Sequence, residues 1–256
     1  MGFQYISLDE AIERAGLRMV VVGDIPSPWG EAAKGILHIK RIGWAAVRLS
    51  YDDPRIKEWA GQRSGPVAIL DREPPRSGWA DILMLAERLA PEPSLLPADP
   101  GERALMFGLA HEICGEGGLG WSRRLQLIDA GLRGEGGFPQ PAAGYLARKY
   151  GYRPETAASA DRRVAHLLRL LSGRLQRQLD AGRPYYLGDG VTALDVYSAT
   201  FMAMFAPLSE DVCRMERWNR RALETLDEAT SAAIDPILIA HRDMMYEKHL
   251  ELPLAL

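Results

Sequence analysis

Gly188-Asp189-Gly190-Val191-Thr192-Ala193-Leu194-Asp195 is the stretch whose reading decides the fold. Thr192 and Asp195 stand three apart just before an apolar helical run, the spacing of a capping box with Asp where Glu or Gln is more usual. The first amides of a helix have no partner inside it. The Thr192 hydroxyl can accept from one of them while the Asp195 carboxylate reaches back to the Thr192 N–H, so a buried helix begins here. Leu194, Tyr197, Phe201 and Phe205 continue it at helical spacing. Many unrelated helices carry such a box, and its value comes from what lies upstream.

Far upstream the pattern is strand and helix in alternation. Ser7 and Glu10 form a second capping box for a short amphipathic helix, and Gly16 is placed to end it. Leu17 to Val22 is β-branched and almost continuously apolar, as a strand covered on both faces must be. Gly23 to Pro28 makes a turn, with Pro28 in the first turn of a helix through Ile36, Leu37 and Ile42. Ala45 to Leu49 is the next strand, Pro54 opens a short helix through Trp59, and Gly65-Pro66 turns the chain into a third strand through Leu70. A helix over about Trp79 to Leu89 closes the unit, with Ile82, Leu83, Leu85, Ala86 and Leu89 as its apolar stripe.

Composition then changes. Pro91, Pro93, Pro97 and Pro100 crowd a joint in which no helix can continue. From Arg103 onward the spacing is helical, broken at Gly115 to Gly120 and at Gly134 to Pro141, and Val164, Leu167, Leu168, Leu171, Leu175 and Leu179 form one stripe. Four segments follow: an extension helix over 1–16, an α/β domain over 17–90, a proline-rich linker over 91–100 and an all-helical domain over 101–256. A chain of 256 residues, 47% apolar and 25% charged, has enough apolar material to bury two modest cores.

A net charge of −3 offers no field for polyanions, and Arg162, Arg163, Arg169, Arg174 and Arg177 read as the wet side of a helix, so no nucleic-acid partner is expected. No stretch reaches the roughly 18 apolar residues of a membrane span. Cys114 and Cys213 make no disulfide framework, and His38, His111, His166, His241 and His249 lack metal-ligand spacing, so a soluble, cytoplasmic, metal-free protein is expected. The glycine-rich break at Gly115 to Gly120 lacks the Lys-Ser/Thr of a phosphate loop.

A strand-helix-strand unit, a glycine-proline step before its third strand, a proline-rich joint and a helical domain carrying Gly-Asp-x-x-Thr-x-x-Asp together resemble the glutathione S-transferase family. The resemblance covers about residues 17–230. Its most specific pieces are Leu95 to Ala104, similar to the family's entry into its first C-terminal helix, and Leu187 to Asp195. It implies a thioredoxin-like N-terminal domain that holds glutathione as co-substrate, an all-α C-terminal domain that walls a small hydrophobic second substrate, and a homodimer. Both motifs are structural, and fold does not by itself set activity.

The resemblance also implies site residues. The family's catalytic hydroxyl or thiol lies just after the first strand, a position similar to Ser27 in Pro26-Ser27-Pro28-Trp29. Lowering a thiol pKa by two units from about 8.5 takes roughly 2.7 kcal/mol. A hydrogen bond to a charged group supplies about 1.5–3 kcal/mol and a helix N-terminus about 0.3–1, so one neutral hydroxyl suffices. The competing role for Ser27 is that of an N-cap, which the spacing supports equally. Gly65 and Pro66 stand where the family uses a cis proline to free a backbone for the cysteinyl part of glutathione. Glycine is unusual there, since the family prefers a bulky apolar residue.

At the start of the next helix the family carries Glu or Gln followed by Ser, which receives the γ-glutamyl carboxylate. Here those positions are Gly78 and Trp79, and Ser77 is two residues early. Either Ser77 and amides near Trp79 still hold the carboxylate, or the glutathione pocket is altered. Phe107, His111, Trp121 and Arg124 are candidates for the second-substrate pocket, each with packing as its alternative, while Thr192 and Asp195 are structural. Two functions follow: conjugation of the glutathione thiolate to a hydrophobic electrophile, or a protein of this fold without glutathione chemistry, acting as a carrier or an interaction module. A reductase built on an active-site cysteine is disfavoured because neither cysteine lies near the first strand.

Overall fold

The computed structural model describes residues 3–256. Gln4–Tyr5 (β1), Leu17–Val21 (β2), Ala45–Arg48 (β3) and Val67–Leu70 (β4) form one sheet in the order β1-β3-β2-β4. β1 and β2 both run parallel to β3, and β4 pairs antiparallel to β2 with Val20 opposite Val67. Among the described residues a single antiparallel bridge, Ala68 to Arg76, extends the sheet past β4.

Every residue of β2 is buried, as its unbroken apolar run requires of a central strand. The pleat sends alternate residues to opposite faces. Val20, Val47, Val67 and Ile69 pack with Ala11 of α1 (Leu8–Glu13) and with Ile56 and Ala60 of α3 (Pro54–Ala60). Met19, Val21, Ala46 and Ala68 face the other way, onto α2 (Pro28–Ile39) and α4 (Trp79–Leu89), in a core that continues into the helices beyond.

The extension differs from the helix expected of it. Ser7 does cap α1, its Oγ accepting from the Glu10 N–H at 3.1 Å, but the Glu10 carboxylate pairs with Arg14 at 3.2 Å instead of completing the capping box, α1 ends at Glu13, and residues 4 and 5 add an edge strand. Gly16, at φ +90°, turns the chain into β2, a backbone region that favours glycine, and its N–H donates to Asp71 Oδ1 at 2.7 Å.

The proline joint is tied down by a buried cation. Lys40, just past α2, donates to the carbonyls of Ala90 (2.6 Å) and Pro93 (2.9 Å) and pairs with Glu87 at 2.8 Å. Helices follow: α5 (Pro100–Cys114), capped by Asp99, α6 (Leu119–Arg133), α7 (Gln140–Tyr150) and the long α8 (Ala157–Asp180). The buried α9 (Ala193–Phe201) is next, then α10 (Arg217–Glu224), α11 (Glu228–Ala233) and α12 (Pro236–Lys248). This is a thioredoxin-like α/β domain followed by an all-α domain. Among the described residues no helix is long and apolar enough to cross a membrane.

The capping box forms with both halves present. Asp195, fully buried, accepts from the Thr192 N–H and hydroxyl at 2.8 Å each and from the Tyr186 N–H at 2.9 Å, and lies 3.0 Å from His241 Nε2. It joins the start of α9 to the preceding loop and to α12. Helix α9 stops at Phe201, earlier than the apolar spacing implied, and a 3-10 turn over Met202–Met204 carries the chain to the buried Phe205.

Candidate active site

The loop from Val22 to Ser27 joins the end of β2 to the start of α2, so Ser27 is held at a helix N-terminus. Its backbone is extended (φ −67°, ψ 115°), its carbonyl accepts from the Glu31 N–H at 2.8 Å, and Pro28 occupies the first helical turn, where a missing N–H breaks no bond. The side chain makes no capping hydrogen bond. Ser27 therefore takes the N-cap position without using its hydroxyl as the cap, although only 6% of the residue is exposed. It lines a cavity of about 640 Å³ between the sheet domain and the helices, within the range usual for small-molecule sites.

Gly65, Pro66 and Ser77 line the same cavity from the sheet side. The Gly65–Pro66 peptide is cis. Glycine is explained by close approach, because a Cβ at residue 65 would stand 3.2–3.3 Å from the backbone of Val20, Val21 and Val22. Trp121 and Arg124, both on α6, line it from the helical side.

Three sequence candidates stand off this cavity. The Trp79 indole packs edge-on to Tyr197 at 5.5 Å and against Phe107 at 6.2 Å, and the Trp79 carbonyl accepts from the Tyr197 hydroxyl. Phe107 and His111 lie four apart on one face of α5, whereas α5 reaches the cavity only at its end, through Cys114. His111 is exposed. Near residue 79 the structure adds a feature that the sequence pattern does not show. Asp81, in the first turn of α4, folds its carboxylate back over Gly78, so the helix end that a ligand carboxylate would seek already has an anion beside it.

Sequence reasoning missed most of the helical wall. Tyr145 and Lys149 of α7 face Tyr51 and Ser64 across the mouth. The Tyr51 and Tyr145 rings meet edge-on at 5.7 Å, and Lys149 Nζ donates to Ser64 Oγ at 3.2 Å. Tyr150 packs on Trp121 at 4.7 Å, and Trp218 of α10 closes one side. Only the lysine-tyrosine spacing of α7 could have flagged this wall, and that pattern reads equally as a solvated face.

Trp29 anchors the floor, its indole N–H donating to the Cys114 carbonyl at 2.9 Å. The Arg124 guanidinium lies 5.8 Å from the centre of the Trp29 ring and 5.5 Å from that of Phe138. Its neighbour Arg123 turns away from the cavity. It is 2% exposed and donates to the carbonyls of Met204, Leu223 and Thr225, and burial lowers its pKa to about 10. Partial burial, and then the charge of Arg124, lower the pKa of Lys149. Burial alone drives the Cys114 thiol well above its usual value, which keeps it protonated and unreactive although it lines the cavity. Among the described residues no group of three or more His, Cys, Asp or Glu side chains is placed to hold a metal ion.

This architecture is that of the glutathione S-transferases, a thioredoxin-like domain and a helical domain with a cleft between them. A glutathione S-transferase from Methylobacillus flagellatus solved with glutathione bound is 14% identical, with 91% of this chain and 96% of that one covered at a TM-score of 0.62. One from Methylobacterium radiotolerans, in complex with glutathione sulfonate, is 16% identical over 91% and 92% at a TM-score of 0.60. A rice glutathione S-transferase in complex with glutathione is 20% identical over 94% of each chain at a TM-score of 0.57. At these identities the likeness is one of fold. No family model matches the chain, and no curated protein matches it by sequence.

Proposed function

We propose that the protein is a glutathione-dependent transferase. Residues 17–90 hold the tripeptide, with its cysteinyl backbone beside Gly65 and Pro66 and its γ-glutamyl carboxylate near Ser77 and the first amides of α4 at Trp79. Residues 101–256 supply the second-substrate wall through Trp121 and Arg124. The Ser27 hydroxyl donates to the sulfur and favours the thiolate. The sulfur lone pair then forms a C–S bond with the electrophilic carbon as the leaving group departs with its electron pair. Phe107 and His111 have no part in this wall and belong to packing and surface. The protein acts in the cytoplasm as a homodimer.

The observation that carries the reading is the Ser27 side chain, free of capping and set in the wall of the cavity that Gly65 and Pro66 also line. Support also comes from the fold neighbours solved with glutathione or its sulfonate. Calorimetry with glutathione tests it. A ligand at a hundredfold excess over its Kd stabilises by about 2.7 kcal/mol, roughly 5–10 °C in melting temperature for a chain of this size. No heat and no shift at millimolar glutathione would sink the reading.

Asp81 favours a second reading, a carrier or interaction module of this fold without glutathione chemistry. Its carboxylate at the start of α4 opposes the charge of a γ-glutamyl group. On that reading Ser27→Ala leaves ligand binding unchanged, whereas the transferase loses turnover.

A further inference from the structure

Arg124, Lys149 and Glu116 are the charged side chains that line the large cavity. Among the described residues neither cation takes part in an ion pair within 4.0 Å, and Glu116 pairs with neither. Among the described residues Arg124 Nε, shut off from solvent, has no hydrogen-bond partner, and Lys149 Nζ donates only to the neutral Ser64 hydroxyl. Two cations thus face one cavity, close enough for the field of Arg124 to disfavour the charged form of Lys149. Arg124 is half-buried and Lys149 is exposed at the mouth, and neither has an anionic partner among the described residues.

Aromatic residues make up much of the remaining lining, Trp29, Phe138, Trp121, Tyr150, Tyr145 and Tyr51, together with aliphatic residues such as Ile25 and Leu146. Guanidinium and ammonium groups donating to one anionic oxygen group make the stronger, charge-assisted kind of hydrogen bond, while ring faces favour a planar apolar body. We propose that the second ligand of this cavity is an aromatic anion, a planar ring system carrying a carboxylate or sulfonate that Arg124 and Lys149 receive jointly. This rests on the reading of the helical wall as the second-substrate side and narrows its substrate from any apolar electrophile to an anionic aromatic one. Both cations stand on helices α6 and α7, but Lys149 reaches across to Ser64, next to Gly65, so competition with glutathione decides whether the anion is the second ligand's own.

A matched pair of probes tests this on the whole protein, 2-naphthoate against the neutral isostere 2-naphthamide, with binding read by calorimetry. The wild type is expected to bind the naphthoate at least tenfold more tightly, about 1.4 kcal/mol. Lys149→Met and Arg124→Gln are each expected to bring that ratio below about threefold, and Arg124→Lys to restore part of it, since a point charge still pairs with an anion. Saturating glutathione should leave the naphthoate affinity within about threefold of its value alone. Equal affinities in the wild type, a ratio that survives both substitutions, or displacement of the naphthoate by glutathione would each overturn the proposal. The wild-type comparison needs no variant to fold, and titration with glutathione alone judges the transferase reading separately.

Discussion

Replacing Ser27 by alanine separates the two things a serine before a helix can do. A capping serine lost to alanine costs about 1 kcal/mol of stability, but here the hydroxyl makes no bond to α2. Ser27→Ala should therefore change the unfolding free energy by less than about 0.5 kcal/mol, as at sites without a stranded partner. If the hydroxyl instead donates to a thiolate, its removal forfeits about 1.5–3 kcal/mol, which at about 1.36 kcal/mol per pKa unit raises the pKa of the bound thiol by roughly 1–2 units. The thiolate is the form above its pKa, so the rate is lost on the acid side. Below the wild-type midpoint kcat/KM falls by roughly 10–100-fold, and the deficit shrinks as pH rises past the variant's higher midpoint. The assay is the pH profile of kcat/KM with an aromatic electrophile, alongside urea unfolding. An unmoved midpoint together with a stability loss near 1 kcal/mol would refute the argument and return Ser27 to the role of a cap.

Three further substitutions address the frame around the site. Asp81→Asn removes the anion beside the first turn of α4, and a like charge about 4 Å away in water-like surroundings is worth about 1 kcal/mol; glutathione affinity should rise about fivefold by calorimetry, with unchanged affinity counting against a carboxylate berth there. Asp195→Ala strands the Tyr186 and Thr192 amides, two buried donors at about 1–3 kcal/mol each. Urea titration should show a loss of roughly 2–6 kcal/mol, and a loss under about 1 kcal/mol would mean that water enters to replace the carboxylate. At Gly120 a Cβ would overlap the Phe201 ring edge and stand 3.0 Å from Trp29, so Gly120→Ala should cost about 1–3 kcal/mol through overpacking, with changed tryptophan fluorescence as its signature.

What the sequence determined by itself was everything set by neighbours along the chain. Ser7 caps its helix through Glu10, three positions on, Thr192 and Asp195 do the same for α9, and the unbroken apolar run of β2 announces a strand covered on both faces. Such signals depend on local hydrogen bonds and on the period of side-chain exposure, so they survive without knowledge of the partner. Two-residue β1 has no period to read, and it exists because β3 presents a free edge to it.

The tertiary structure alone decided which polar groups meet. Arg123 and Arg124 are adjacent in the chain, yet a turn of about 100° per residue on α6 sends one into backbone carbonyls and the other into the cavity. Lys149 reaches Ser64 across a sequence separation of 85, and Phe107 and His111 miss the cleft because only the end of α5 borders it. The direction in which a helix faces is set by the packing of apolar faces from distant segments, which is why helices are legible in one dimension and a binding site is not.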